Sequence, residues 1–349
     1  MITKIIDERS ASAIPEESDD LLTLRRIIST GDKIVSSTTR VIKQEKDYSR
    51  PDRGERVRIK IALDVEKISL DNVLDKLRIQ GTITDSNNES VRHGSYHSIL
   101  VHVNDAITIT KKKWSATQRR LLKSNNKRCG FLLVGIDTTD CGIAKLNGTH
   151  LEIMPNIYSG SSGKRYKTSF KIEKFFQDVV KAISSVIKEK DSVIIFGPGQ
   201  TCKKFANYFE KTTTAQKVTF QVVEGIDSGG EDGIYTFTKS KIMKEIISDS
   251  KLAQVSGIID QVMVMASKKS RRFSMGYKET KKANELGAIE SLVFSDKIIQ
   301  EIDEQEIIDF LNDAEGKGIR SFGVDSTTDL GLRVNGLGGI LGILRFPID

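Results

Sequence analysis

The stretch Ser192 to Val223, SVIIFGPGQTCKKFANYFEKTTTAQKVTFQVV, contains two continuous apolar runs of strand length, Ser192 to Phe196 and Val218 to Val223. Between them lies a helix-forming segment, Lys203 to Phe209. Uninterrupted Val, Ile and Phe mark strands covered on both faces, and a helix joining two such strands makes a β-α-β unit. A partly parallel sheet in an α/β domain is therefore predicted. Just before it, Lys171 to Lys188 sets Ile172, Phe175, Phe176, Val179 and Ile183 on one helical face. Phe131 to Ile136 reads as another buried strand, followed by a hairpin-like pair around Asn147-Gly148.

Between that hairpin and the long helix runs MPNIYSGSSGKRYKTSF, Met154 to Phe170. Its apolar residues follow neither strand nor helix period, and Gly160, Gly163 and four serines interrupt it. Lys164, Arg165 and Lys167 make it a basic loop suited to reach an RNA polyanion, the alternative being a solvated connection. Its glycines are separated by two residues instead of four, and Arg165 replaces the hydroxyl of a phosphate-binding loop, so no nucleotide site is expected.

The net charge of +7 is unevenly placed. Residues 1–128 hold 25 Lys and Arg against 18 Asp and Glu, whereas the remainder balances 29 with 29. The N-terminal third is thus the expected contact with phosphate. After a capped helix at Ser18 to Ile28, with Ser18 to Asp20 at its start, come five short Val-, Ile- and Thr-rich segments. These are Lys33 to Lys43, Val57 to Val65, Lys76 to Thr84, Ser98 to Val103 and Ala106 to Thr110. They predict a small β-barrel-like domain closed by a helix at Trp114 to Asn125. Arg50, Arg53, Arg56 and Arg58 crowd one turn, and Lys111, Lys112 and Lys113 end the last strand beside Trp114. Arginine forks bind phosphate and an aromatic ring stacks on bases, so these are candidate RNA-binding residues.

Glu16, Glu17, Asp19 and Asp20 are the densest acidic cluster. Such carboxylates could hold a divalent metal cation that activates water on a phosphodiester, as catalytic and metal-ligating residues of a nuclease. The alternative is that Ser18 to Asp20 simply cap the following helix and favour its dipole. His97 and His102, an odd number apart on a predicted strand, should face opposite ways and cannot share an ion. No Ser-His-Asp arrangement or nucleophile elbow is present.

No stretch approaches membrane-spanning length, and the first ten residues, MITKIIDERS, carry charges where a signal peptide needs an apolar run, so a cytoplasmic protein without a membrane partner is expected. Cys129, Cys141 and Cys202 show no metal spacing and read as small buried residues. Towards the C-terminus, Lys241 to Met265 reads as two helices, and the basic, aperiodic ASKKSRRFSMG, Ala266 to Gly276, as a domain boundary. Beyond it, helices at Tyr277 to Leu286 and Glu304 to Ala314 alternate with strands at Ser291 to Phe294, Ile319 to Val324 and Ile340 to Phe346, a compact α/β sandwich.

Three long segments carry a resemblance: VVEGIDSGGEDGIYTFTKSKIMKEI at 222–246, ANELGAIESLVFSD at 283–296, and GIRSFGVDSTTDLGLRVNGLGGILGILRF at 318–346. With PEESDDLLTLRRIISTGDKI and GSYHSILV in the N-terminal third, the chain resembles the Pelota family, paralogues of the class 1 termination factor of archaea and eukaryotes. The resemblance implies a multidomain α+β and α/β fold. Residues 1–128 would form an Sm-like RNA-binding β-barrel, 129–267 a central RNase-H-like α/β domain, and 268–349 a ribosomal-protein-like α/β sandwich. It implies a monomeric ribosome-rescue factor in mRNA surveillance, acting as a tRNA mimic on ribosome, mRNA and rRNA. Its expected partners are an elongation-factor-1-alpha-like translational GTPase, bound at Gly197, Pro198 and Gly199, and a recycling ATPase of the ABC class. The family's alternative attribution is a divalent-metal-dependent endoribonuclease in the N-terminal domain. Gln200 stands where the family often has an aromatic.

The termination factor carries Gly-Gly-Gln in the loop that here reads GSSGKRYKT. Purified protein is therefore expected to release no peptide from peptidyl-tRNA on a ribosome presenting a stop codon. Stop-codon-dependent release in a filter assay would contradict that reading.

Overall fold

The computed structural model describes all residues except 43–54, 72–74, 89–90, 125–129, 161–171, 189–190, 248–249 and 349, and leaves out the side chains at 40–42, 55, 56, 124 and 244. Three sheets, each with its own apolar core, form a three-domain arrangement of mixed α and β content. Strands and helices are numbered along the chain.

The first sheet contains β1 (Ile2–Ile5), β2 (Ser10–Ile14), β3 (Lys33–Ile42), β4 (Glu55–Asp71), β5 (Lys76–Ser86), β6 (Tyr96–Val101) and β7 (Ile107–Thr110). It is antiparallel throughout, in the order β1-β2-β7-β3-β4-β5-β6. Alternation decides its inner face: Leu77, Ile79 and Ile83 of β5 are buried while their neighbours are less so. Helix α1 (Ser18–Ile27) lays Leu21, Leu24 and Ile27 into the same core, and α2 (Ala116–Ser124) adds Leu121 and Leu122. The N-cap of α1 is Glu17 rather than Ser18, because the Asp20 carboxylate reaches back to the Glu17 N–H at 3.2 Å.

The central sheet is built from β8 (Phe131–Ile136), β9 (Asp140–Asn147), β10 (His150–Ile153), β11 (Ile157–Tyr158), β12 (Ser192–Phe196) and β13 (Thr219–Val223). Its order is β10-β9-β8-β12-β13, with β11 paired to β9. The first three strands are antiparallel, whereas β12 runs parallel to both β8 and β13, which is the RNase-H-like arrangement. Helices α3 (Ile172–Val186) and α4 (Gly199–Phe209) bury Phe175, Phe176, Val179, Phe205 and Phe209 on it. Next come α5 (Gly230–Lys239), α6 (Lys241–Ile246) and α7 (Lys251–Ser267).

Helix α5 escapes a reading by periodicity, since two glycines and two threonines in ten residues make a poor helix former. Tertiary packing forms it. A Cβ on Gly142 would lie 2.4 Å from the Gly230 carbonyl carbon, so only glycine lets the helix start come this close to β9. Phe237 then stacks on Phe196 with ring centres 4.6 Å apart.

The third sheet, β14 (Phe273–Met275), β15 (Ile289–Ser295), β16 (Arg320–Val324) and β17 (Ile340–Leu344), has the order β14-β17-β15-β16. Helices α8 (Tyr277–Glu285), α9 (Ile298–Glu301) and α10 (Glu304–Gly316) accompany it, and α11 (Asp329–Gly336) precedes β17. The aperiodic segment expected to be a boundary thus contributes a strand at Phe273–Met275, because pairing with β17 satisfies its backbone.

By contacts the chain divides into two compact units. One joins Met1–Lys127 with Ser274–Gly323 and Leu337–Asp349, and the other joins Arg128–Phe273 with Val324–Gly336. Within the first unit, α1 meets α10. Arg25 Nε donates to Glu304 Oε1 and Arg25 Nη2 to Gln305 Oε1 at 2.9 Å. Arg26 donates to the Leu311 carbonyl at 2.9 Å and to Asn312 Oδ1 at 3.1 Å. Glu304 Oε2 also accepts the Leu70 N–H at 3.0 Å. Leu22, on the same helix, enters the third sheet's core.

Removing one partner of a buried, hydrogen-bonded pair strands the other's charge. Arg25→Met is expected to cost about 3 kcal/mol in chemical denaturation. Adding Glu304→Gln should return at least about 1 kcal/mol of that loss. Additive losses would show that the two groups act separately.

Candidate functional site

The four acidic candidates surround the start of α1, and their geometry belongs to the chain's own ammonium. Asp20 is 1% exposed, and its Oδ2 accepts the Met1 α-ammonium at 2.6 Å and the Glu16 N–H at 2.9 Å. Glu16 Oε2 lies 3.0 Å from the same ammonium. Glu17 and Asp19 are half-buried on either side of Ser18. A divalent ion would have to displace a cation already held by two carboxylates, so this donor set does not fit one. Among the described residues no group of three or more His, Cys, Asp and Glu is arranged to hold a metal ion.

The basic candidates divide by depth. Arg50, Arg53, Lys164, Arg165 and Lys167 lie outside the described residues, as does the Arg56 side chain. Lys111 points inward: it is 4% exposed and its ammonium contacts the Asp32 carboxylate. Trp114 is also in the core, donating its indole N–H to the Arg9 carbonyl at 2.8 Å. The expectation of a solvated lysine run beside a ring free to stack on a base is therefore corrected at both residues. A strand end presents alternate residues to opposite faces, and the inward position fell on Lys111.

Lys112 and Lys113 remain exposed. So does Arg58 on β4, where Ile59 and Ile61 point inward and Arg58 and Lys60 outward. Lys60 was missed as a candidate, although its even spacing from Arg58 was the signal. In register beside this pair stand Ser37 and Thr39 of β3. The outer face of these strands therefore offers cations next to hydroxyls, groups able to bind phosphate oxygens and ribose.

His102 falls just after β6 and pairs with Asp105 at 3.2 Å, so the odd-spacing argument, which placed it on one strand with His97, does not apply. His97 lies on β6 with its ring 3.3 Å from Thr38.

In the central domain, Gly197, Pro198 and Gly199 turn the chain from β12 into α4, which begins four residues before the apolar spacing suggested, with Pro198 as its N-cap. Gly197 has φ +145°, and a Cβ there would sit 2.0 Å from the Ile136 carbonyl oxygen. The backbone here is dictated by close approach to β8. Gly199 and Gln200 are exposed on the turn. Nearby, Lys203 and Glu224 pair at 2.9 Å, and their hydrogen bond raises the ammonium's pKa and lowers the carboxyl's. Cys141 and Cys202 are buried, as expected, and burial pushes both thiols upward.

The C-terminal residues 252–348 match the family of eRF1 domain 3, and residues 2–126 match the Pelota N-terminal domain. Together with the three sheets, the first match defines a protein of the eRF1-like three-domain class. Over 349 residues the chain is 65% identical to the pelota homologue of Nitrosopumilus maritimus (strain SCM1), covering 100% of both. It is 53% identical over 346 residues to that of Cenarchaeum symbiosum (strain A), covering 99% of both. The chain belongs to the Pelota family. The crystal structure of Thermoplasma acidophilum Pelota shares the fold with a TM-score of 0.62 at 24% identity, covering 100% of both chains. That of Archaeoglobus fulgidus Pelota does so with a TM-score of 0.52 at 23% identity, covering 100% of this chain and 98% of that one.

Lys111→Met should cost about 3 to 5 kcal/mol, because it leaves Asp32 buried without its cation. Lys112→Ala with Lys113→Ala should stay within about 0.5 kcal/mol of the parent. The same double variant should reduce the slope of log K against log salt for single-stranded RNA by about one to two. A stable Lys111→Met protein with a reduced salt slope would reverse these assignments.

Proposed function

We propose that this chain is a ribosome-rescue factor that occupies stalled ribosomes as a tRNA and termination-factor mimic and promotes subunit separation without releasing peptide. Identity to pelota homologues over the whole chain carries the reading, joined to a segment that reads GSSGKRYKT in place of Gly-Gly-Gln. In this role the N-terminal sheet contacts mRNA or rRNA through exposed cations such as Arg58, Lys112 and Lys113. The 164–167 cations contact RNA from the central domain. A translational GTPase related to elongation factor 1 alpha docks at the turn of Gly197 to Gly199, and an ABC-class recycling ATPase completes subunit separation in the cytoplasm.

Exposed glycine and glutamine at the turn support a partner surface there, because Gly197 holds the backbone in one shape and leaves Gly199 and Gln200 accessible. The endoribonuclease reading draws no support from Glu16, Glu17, Asp19 and Asp20, since the Met1 ammonium takes two of these carboxylates. No helix among the described residues is long and apolar enough to cross a membrane.

Replacing Lys164, Arg165 and Lys167 together with alanine is expected to impair subunit separation of stalled ribosomes, measured by sucrose-gradient sedimentation. Folding stability should move by less than about 0.5 kcal/mol. Unimpaired splitting by that variant would remove these three cations from the mechanism, and failure of the parent protein to split or bind stalled ribosomes would overturn the rescue reading.

A further inference from the structure

A cavity of about 370 Å³ lies wholly within the second compact unit, and none of the roles above uses it. The β9–β10 hairpin, α5, α6, α7 and the start of α11 line it, with Met243, Leu252 and Leu330 as buried apolar walls. Its volume falls within the roughly 300–1,000 Å³ of small-molecule sites.

Two polar groups of this cavity have nothing to bind within the protein. Thr149 is 6% exposed and Ser256 9%, and neither hydroxyl makes a hydrogen bond among the described residues. Neither belongs to the unpartnered atoms that are closed off from solvent, so each keeps open surface, and both residues line the cavity. A buried hydroxyl left without a partner is costly, and one reachable from a cavity is satisfied by what fills it.

The rim carries a second, independent feature. Tyr235 and Lys239 stand one turn apart on α5, so they share a face with their Cβ atoms about 5 to 6 Å apart. The tyrosine is 43% exposed, and the exposed lysine ammonium enters no ion pair among the described residues. A ring beside a free cation matches a nucleotide, whose base stacks on the ring while its phosphate meets the cation. The two hydroxyls, each a donor and an acceptor, suit the polar edge of a base held between apolar walls. The opposing charge on the rim is Asp329, exposed at the start of α11, which repels phosphate but accepts from ribose hydroxyls.

We propose that this cavity binds a single ribonucleotide, either a free nucleoside monophosphate or an unpaired nucleotide of an RNA strand. The assignment stands apart from the ribosome-rescue reading, because it rests on the cavity alone.

The probes are the ribonucleoside 5′-monophosphates of A, G, C and U, titrated separately into the full-length chain and followed by ligand-observed NMR. At least one is expected to bind saturably, and more tightly than its nucleoside, since the Lys239 ammonium meets the phosphate. Tyr235→Leu keeps apolar bulk without the ring and should weaken binding at least about fivefold. Ser256→Ala should weaken it at least about threefold while leaving the thermal midpoint unchanged or raised, because the hydroxyl supports nothing in the folded chain. A hydroxyl of purely structural value would give the reverse. Lys239→Gln should abolish the preference for nucleotide over nucleoside, whereas Lys174→Gln, which removes the same charge from an exposed position on α3, should not. No saturable binding of any monophosphate, or binding that Tyr235→Leu and Ser256→Ala leave intact, would overturn the proposal. A short single-stranded RNA in excess separates the two sources. Displacement of the bound monophosphate assigns the cavity to RNA, and retention assigns it to the free nucleotide.

Discussion

The guanidinium groups of Arg25 and Arg26 hold together two parts of the chain nearly three hundred residues apart in sequence. A charged group cannot leave water without partners, and α10 supplies them as Glu304, Gln305, Asn312 and the Leu311 carbonyl. Burial lowers the Arg26 pKa, and Glu315 works against that shift. Because the donors of a guanidinium are directional, these bonds set the register of α1 on α10, while Leu22 adds apolar contact with the third core. The first compact unit therefore combines the N-terminal sheet with most of the C-terminal one, and it does so through polar groups that tolerate no slip.

The same principle recurs within the individual domains. Asp20 is tied to the Met1 ammonium, Lys111 to Asp32, and Lys145 to Asp191 at 3.1 Å, each with both side chains largely buried or one fully so. Such pairs contribute little net stability, but once buried they are expensive to break, and they determine where segments meet. Their consequence for function is selection. Charges drawn inward by a partner are removed from the surface, whereas Arg58, Lys60, Lys112 and Lys113 stay exposed.

In the central domain steric closeness takes over the part that charge plays elsewhere. Gly142 admits the start of α5 to β9, and Gly197 admits the turn after β12 to the Ile136 carbonyl. The close approach fixes the backbone that leads into the exposed Gly199 and Gln200.

Periodicity and turn chemistry by themselves determined much of this protein. The parallel strands around Ser192 to Val223, the amphipathic α3, strands β3 to β7 of the first sheet and the helices Tyr277–Glu285 and Glu304–Gly316 all follow from local spacing of apolar residues, because a strand or helix buries one face whatever its surroundings. The long motifs that resemble the Pelota family were equally legible. What local pattern could not show was any element made by its neighbours. The Ser- and Ala-rich β2 exists through pairing with β1 and β7, α5 through glycine contact with β9, and β14 through pairing with β17. The same limit applied to the candidate sites. A run of lysines and a cluster of carboxylates look alike along the chain, and only tertiary structure decided that Lys111 and Asp20 face buried partners while Lys112 and Lys113 face water, because the partners, Asp32 and Met1, lie far from each in sequence or across a turn that spacing does not encode.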